Sequence, residues 1–280
     1  MSSALEEAST GRRPPLFGMF GAAIVAFWLL MAIIGPHIAP YDVGAVVDDN
    51  VFGSMQLTLL LGSDYLGRDV LSRILVGARY SIGVAAAATF LAVLVGGSLG
   101  VVAAVSRRVV DAGLSRFFDA LISIPSKISA LIVIAVLGSS IPMLIATVAL
   151  IYTPGAFRIW RGLAVNVNAL DFVEVARARG ESTRYLVCEE ILPNIAGPTL
   201  TDLSLRFEFA LLLLSSLSFL GLGVQPPNAD WGSLVRENID GLAAGAFAVV
   251  VPAVALATLS IGVNLITDNL QGRWSSLWED

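Results

Sequence analysis

Four polar side chains lie inside otherwise apolar stretches of this 280-residue chain, where they are the first candidates for chemistry. Lys127, the only lysine, follows Pro125 by two residues, and Glu208, Asn264 and Asp268 lie in later apolar stretches. Burying an unpaired charge in lipid is costly, so such residues usually mark a substrate or ion pathway. We take these four as candidate pathway residues. Lys127 either meets a substrate carboxylate or extends from near its helix end to the lipid headgroups.

The spacing of the later polar residues indicates which helix faces they share. Asn264 and Asp268 are four residues apart and share a face, where a helix-packing hydrogen bond is the simpler interpretation. Arg206 and Glu208 are two apart and point to different faces. We expect each to pair with a neighbouring helix or with Asp202.

Other kinds of site are not indicated by the sequence. No glycine-rich loop ending in Gly-Lys-Ser or Gly-Lys-Thr is present, so we expect no ATP site on this chain. His37 is the only histidine and Cys188 the only cysteine, which argues against a multi-histidine or cysteine metal site and an intrachain disulfide. A net charge of -5 offers no basic face for nucleic acid. We predict no catalytic residue, bound cofactor or metal.

The composition indicates that lipid surrounds most of the chain. Charged residues make up 14% and apolar residues 56%, with a mean hydropathy of +0.81, whereas soluble domains contain about 25% charged residues. Apolar runs near the roughly 20 residues that cross a bilayer predict an all-α membrane protein of about six transmembrane helices. The predicted spans are Phe17–Ile34, Ser81–Val105, Phe117–Leu137, Pro142–Leu163, Gly197–Leu222 and Phe247–Leu270.

The arginines indicate the orientation of these spans. The first run lacks the cleavage pattern of a signal peptide, so we interpret it as a retained helix. With both termini in the cytoplasm, most arginines lie inside, as the positive-inside rule requires. The predicted regions are a cytoplasmic tail (1–16), the first transmembrane helix (17–38), an extracytoplasmic segment (39–79), a five-helix core (80–272) with a cytoplasmic loop at 164–196, and a cytoplasmic tail (273–280).

The cytoplasmic loop is about 30 residues long, and loops of that length are usually functional or disordered. Asp171 followed by Glu174 predicts a capping box at a helix start, and Gly180 predicts a left-handed C-cap at its end. A second short helix is expected from 182 or 183 to just before Pro193. The first helix should present a narrow apolar edge with Phe172, Val175, Ala176 and Arg179 at helical spacing. An amphipathic linker on the membrane surface remains the alternative.

The loop resembles a known family motif. Residues 174–180, Glu-Val-Ala-Arg-Ala-Arg-Gly, followed by Ile-Leu-Pro-Asn at 191–194, resemble the EAA loop of ATP-binding-cassette importer permeases. In that family this short coupling helix docks on a cytoplasmic ATPase. The match departs at Val175, where alanine is usual, and at Glu189 and Glu190, where basic or histidine residues are common. The resemblance implies a coupling site of Asp171, Glu174, Ala176, Arg177, Arg179, Gly180, Leu192 and Pro193.

Further strings extend the resemblance over nearly the whole chain. Residues 61–69, 217–227 and 229–232 are similar to the C-type permease of the dipeptide, oligopeptide and nickel branch. The resemblance implies the type I importer permease fold. It also implies that the outer segments contact an extracytoplasmic substrate-binding protein, through Asp64, Arg68, Asp69, Asp230 and Trp231.

The same resemblance implies a function and its partners. It implies a permease subunit of an ATP-driven importer in the bacterial cytoplasmic (inner) membrane, for di- or oligopeptides, with nickel or glutathione as alternatives. The implied partners are a second, B-type permease, two ATPase subunits that carry ATP and Mg, and the binding protein. A self-sufficient secondary transporter is the alternative from another class. Such proteins usually show paired intramembrane carboxylates or repeats with broken helices, and neither is clear here.

Overall fold

Helices make up most of the computed structural model, which describes residues 15–243 and 245–275. The tails at 1–14 and 276–280, with Arg12 and Arg13, lie outside the described residues. The predicted all-α fold is confirmed. In chain order the helices are α1 Pro15–Ile38, α2 Val70–Val105, α3 Arg108–Ile122, α4 Ser126–Leu137, α5 Ile141–Asn168, α6 Asp171–Ala178, α7 Leu192–Phe219, α8 Trp231–Glu237 and α9 Phe247–Ser275. Shorter elements are a helical turn at Thr183–Tyr185, a π-helix at Leu186–Ile191 and a 3-10 helix at Ile239–Leu242.

Four of the described helices, α1, α2, α5 and α9, are long and apolar enough to cross a membrane. The pair α3 and α4 would add a fifth span if counted together. Helix α7 is 28 residues long, but every 18-residue stretch of it contains Asp202, Arg206 and Glu208. About six spans were predicted, and four or five of them qualify among the described residues by length and composition. The remaining span, α7, carries polar groups that need partners inside the bundle.

The predicted span at 117–137 is not one continuous helix, because the chain breaks between α3 and α4, which are bent by 83°. Pro125 lies at the break as the N-cap of α4. Proline lacks a backbone N–H, and its ring forces the preceding residue out of the helical conformation, so a helix ends before it.

Helix α2 begins earlier than the sequence indicated, at Val70 instead of Ser81. Its N-cap is Asp69, whose side chain accepts hydrogen bonds from the backbone N and the Oγ of Ser72 at 2.8 and 2.6 Å. The final part of the predicted outer segment is therefore helical. The 36 residues of α2 span about 54 Å at the usual helical rise, well beyond the thickness of the hydrocarbon core.

Helices α2 and α5 pack closely because glycines remove side chains from their contact. A Cβ added at Gly100 would lie 2.6 Å from the carbonyl oxygen of Phe157, and one at Gly96 would lie 2.9 Å from the Cβ of Ala156. Gly83, by contrast, has nothing within 4 Å of an added Cβ, so it makes no such contact among the described residues.

Trp231, the first residue of α8, anchors the outer end of the bundle and is fully buried. Its indole Nε1 donates to the carbonyl oxygen of Ile74 at 3.1 Å, and its backbone N donates to Ser81 Oγ at 2.9 Å. Its ring also packs edge-on against Trp28 of α1, with centroids 4.7 Å apart. One indole therefore connects α1, α2 and α8.

Candidate coupling and pathway sites

The start of α6 differs from the predicted capping box. Leu170 is the N-cap, and no side chain makes a capping hydrogen bond there. Asp171 and Glu174 both lie in the first turn of the helix. There their negative charges are stabilised by the positive end of the helix dipole.

The end of α6 is as predicted. Gly180 has φ of +84°, a conformation that glycine adopts without strain. Its N–H donates to the carbonyl oxygen of Arg177 at 3.0 Å, and the N–H of Glu181 donates to that of Ala176 at 3.3 Å. This pair of bonds is a Schellman cap, and it fixes the direction in which the chain leaves α6.

Helix α6 has one buried face and one exposed face. Val173 and Ala176 have no exposed surface and belong to a cluster of buried residues that includes Val101 of α2 and Ile195 of α7. The predicted single apolar edge is therefore divided, since Ala176 points inward while two other members point outward. The exposed members are Phe172 at 40% and Val175 at 57%, flanked by the exposed Glu174, Arg177 and Arg179.

A short series of hydrogen bonds connects α6 to the ends of two transmembrane helices. Arg177 Nη2 donates to Oδ1 of Asn168, the last residue of α5, at 2.9 Å. Asn168 Nδ2 in turn donates to the carbonyl oxygen of Ala104, near the end of α2, at 3.3 Å. The helix is thus attached to the bundle by polar contacts as well as by packing.

The second helical stretch does not end before Pro193, as was predicted. It starts with Ser182 as N-cap, passes through the π-helix and continues directly into α7. Leu192 and Pro193 form the first turn of α7, where Leu192 is half-buried and Pro193 is exposed. A proline is compatible with this turn because its missing N–H would have no carbonyl partner within the α-helix.

Two of the four candidate pathway residues meet across α7 and α9. Glu208 Oε1 accepts from Asn264 Nδ2 at 2.7 Å and from Ser260 Oγ at 2.9 Å. The expected helix-packing hydrogen bond at Asn264 is present. Lys127 is exposed in the first turn of α4, and Asp268 is exposed on α9.

Arg206 pairs with Asp202, one of the partners expected from the sequence. Its Nε lies 2.7 Å from Asp202 Oδ2, and its Nη1 donates to the carbonyl oxygen of Tyr152 at 3.1 Å. Trp160 Nε1 donates to the same carboxylate at 3.2 Å. This cluster gives two of the three charges of α7, Asp202 and Arg206, their partners within the bundle. The sequence did not reveal a second pair, between Arg161 of α5 and Asp111 of α3, with Nη2 to Oδ2 at 2.6 Å.

The residues expected to contact a binding protein are buried. The structure does not support that expectation, because these side chains fill the interior of the outer region, which leaves them no surface for a partner. Asp64 is the centre of a charge cluster. Its carboxylate accepts from Arg68 Nε at 2.8 Å and pairs with Arg73. Glu237 Oε2 completes the cluster, at 3.1 Å from Arg68 Nη2 and 2.9 Å from Arg73 Nη1. The five buried residues are Asp64, Arg68, Asp69, Asp230 and Trp231.

Asp230 has a structural role at the start of α8. Its carboxylate accepts from the backbone N of Ser233 at 2.7 Å and from Ser218 Oγ, and Ser233 Oγ reaches back to the Asp230 backbone. Burial raises the pKa of this carboxyl above its ordinary value. An aspartate three residues before a serine is a sequence signal of a helix start. That signal would have located α8, but nothing local indicates the partner Glu237.

Known proteins are similar to this chain over most of its length. Residues 96–276 match the family model of the binding-protein-dependent transport system inner membrane component. A putative peptide transport system permease protein of Brucella suis is 32% identical over 251 residues, covering 90% of this chain and 84% of the relative. The dipeptide transport system permease protein DppC of Alkalihalophilus pseudofirmus is 29% identical, covering 90% and 83%. The glutathione transport system permease protein GsiD of Escherichia coli is 34% identical, covering 90% and 84%.

The match to the family model covers more than half of the chain, and it includes the segment at 164–196 with α6, together with α7 and α9. The similarity to the relatives extends over nine-tenths of it. The apolar helices are those of a multi-pass protein of the bacterial inner membrane. The chain therefore belongs to the binding-protein-dependent transport system inner membrane component family and is the permease subunit of an importer.

Proposed function

We propose that this permease forms one half of the pathway of an ATP-driven peptide importer, and that α6 is its contact with a cytoplasmic ATPase. The observation that carries the proposal is the division of α6 into two faces. Val173 and Ala176 attach it to the bundle, whereas Phe172 and Val175 are left exposed among charged neighbours. Apolar side chains exposed together beside charges are typical of a protein–protein interface.

Motion of an ATPase would reach the membrane through the attachments of α6. The helix packs on α2, α5 and α7 and is bonded through Arg177 and Asn168 to Ala104. A displacement of α6 therefore acts on three transmembrane helices at their inner ends. The position of α6 on the cytoplasmic side rests on the predicted orientation of the chain, with both termini in the cytoplasm.

The substrate class is supported by the relatives. Two are named for peptide or dipeptide transport and one for glutathione transport. Glutathione is itself a small peptide, so these names share one chemistry. Nickel remains an outcome for the transport assay to decide.

We propose a different contact for the binding protein from the one expected from the sequence. Val51, Leu57 and Leu60 of the outer segment are exposed, Leu57 at 99%. We assign the contact with the binding protein or the second permease to this apolar surface.

The assembly is tested by coexpressing the tagged chain with its genomic neighbours and purifying it from membranes. We expect two ATPase subunits and a second permease to copurify, and peptide uptake into vesicles to require ATP. Val175→Asp places a charge on the outward face of α6 without touching its packed face. We expect it to lower ATPase retention and peptide uptake about tenfold or more, as for a central interface residue.

The matched control is Val109→Asp at the start of α3, where the valine is 83% exposed. Its expected effect is small. Full ATPase retention and coupled uptake in Val175→Asp would contradict the role of α6. Peptide uptake that needs no ATP would instead favour a secondary transporter.

A further inference from the structure

A cavity of about 620 Å³ lies at the bend between α3 and α4, against α5 and α7. We call it the elbow cavity and define it by Ser126, Tyr152, Gly155, Arg158 and Arg206. Its other lining residues are mostly apolar; among the described residues, the only charged side chains that line it are Arg158 and Arg206, and no carboxylate lines it. Its polar part is therefore positively charged.

Arg206 is nearly buried, with 6% of its surface exposed. Asp202 holds its Nε at 2.7 Å and the carbonyl oxygen of Tyr152 accepts from its Nη1 at 3.1 Å. Its Nη2 has no hydrogen-bond partner among the described residues. An added Cβ at Gly155 would lie 2.9 Å from Nη1, so the glycine makes room for the guanidinium. One donor of a fixed, buried arginine is thus left for a ligand.

Arg158 adds an unpaired charge to the same cavity. It is exposed and makes no hydrogen bond or ion pair within the part of the chain that the structure describes. It lies within the predicted span Pro142–Leu163, five residues before the inner end, where its long side chain can reach the cavity or the inner headgroups. An ionisable residue inside a span usually marks a functional site.

The wall formed by α4 favours the same kind of ligand. Ser126 is the first residue of α4, and no side chain caps this helix start. The positive end of the helix dipole and the serine hydroxyl therefore lie at the cavity beside the two arginines.

We propose that the elbow cavity binds one oxyanion, a carboxylate or a phosphate, between Arg158 and Nη2 of Arg206, with the Ser126 hydroxyl as a further donor. Planar guanidinium groups bind both kinds of anion through paired hydrogen bonds. A carboxylate would come from the peptide in transit, which rests on the proposed function. A phosphate would come from a lipid headgroup of the inner leaflet.

The test uses the complete transporter, copurified with its partner subunits and reconstituted in vesicles with or without phosphatidylglycerol. The variants are Arg158→Gln, which removes the charge, and Arg158→Lys, which keeps it. Arg116→Gln is the matched control, because Arg116 is an exposed arginine of α3 that does not line the cavity. The readouts are ATP-dependent uptake of alanine peptides of two to five residues and the phosphatidylglycerol retained on purification, measured by native mass spectrometry.

If the ligand is the peptide carboxylate, Arg158→Gln lowers uptake about tenfold or more in both kinds of vesicle, as expected for a lost charged hydrogen bond. Arg158→Lys then retains much of the activity. If the ligand is a lipid phosphate, Arg158→Gln differs from the wild type only in vesicles that contain phosphatidylglycerol, and it loses the copurified lipid. Either result supports the anion site.

Uptake and lipid retention in Arg158→Gln equal to those of Arg116→Gln would overturn the inference. Failure of the proposed function is a separate result. In that case the wild type shows no ATP-dependent peptide uptake, and lipid retention alone still tests the cavity.

Discussion

Asp230 caps a helix with a carboxylate that is buried, and burial disfavours its charged form. Its carboxylate holds the first turn of α8 through Ser233 and contacts α7 through Ser218. It does so at 1% exposure, and burial raises its pKa. The protonated form is therefore favoured in the folded protein more than in the unfolded chain.

This shift predicts a pH dependence of stability. Above the ordinary value of 3.8, the unfolded chain has released a proton that the folded protein still holds, so the contribution of Asp230 to stability falls as the pH rises. Asp230→Asn keeps an acceptor for Ser233 but does not titrate. We expect its thermal unfolding midpoint in detergent to fall less between about pH 4 and pH 7 than that of the wild type.

Asp42→Asn is the control for this prediction, because Asp42 is exposed in the outer segment. Its pH profile should follow that of the wild type. The same pH profile for Asp230→Asn and the wild type would show that Asp230 does not contribute in this way.

At the scale of single residues, the sequence predicted backbone conformation better than it predicted which side chains are in contact. Gly180 was predicted to end α6 because a left-handed C-cap is a local property. The burial of Asp64 could not be predicted in the same way. Its cluster includes Glu237, which is 169 residues from Arg68 in the chain, and no local pattern records such a distance.

Between elements, α2 and α5 make a close backbone contact. Gly96 and Gly100 let the two backbones approach, so that the carbonyl of Phe157 lies where a side chain at residue 100 would begin. Neither backbone can yield without moving its helix. The contact is therefore sensitive to a single methyl group.

Gly100→Ala should destabilise the protein by about 1–3 kcal/mol through this overpacking. Gly83→Ala lies on the same helix but meets nothing within 4 Å, so it should be neutral or slightly stabilising. The unfolding midpoints of the two variants in detergent provide the measurement. Equal midpoints would mean that α2 and α5 can separate without cost.

The differences between predicted and observed elements have physical causes. Hydropathy located α1, α5 and α9 because their apolar runs are long. It could not divide the segment at 117–137, since apolarity continues across the break and only Pro125 marks it. It also misplaced the start of α2, because the first turns of α2 pack against protein at the outer end.

Across the whole molecule, the outer region joins parts of the chain that are far apart in sequence. Asp64, Arg68 and Arg73 lie in the first third of the chain, whereas Glu237 follows α7. The four charges balance one another. Trp231 and its contacts with α1 and α2 lie in the same outer region. The outer region is therefore a single packed unit instead of two independent loops.

Removing one charge should disturb this unit strongly. Asp64→Asn leaves two buried arginines with one carboxylate, and breaking a buried ion pair costs about 3–5 kcal/mol. We expect a lower unfolding midpoint and faster proteolysis of the outer segment. Asp49→Asn, at an exposed position of the same segment, is the control, and comparable behaviour of the two variants would contradict a role for the cluster in stability.

The length of α2 has a consequence for any movement of the bundle. This helix contains no proline and runs without interruption from Asp69, in the packed outer region, to Val105, beside the attachments of α6. Over about 54 Å, a tilt of about 10° displaces one end relative to the other by about 9 Å. Helix α2 therefore acts as a lever arm, and a small rotation at the inner surface becomes a large displacement at the outer one.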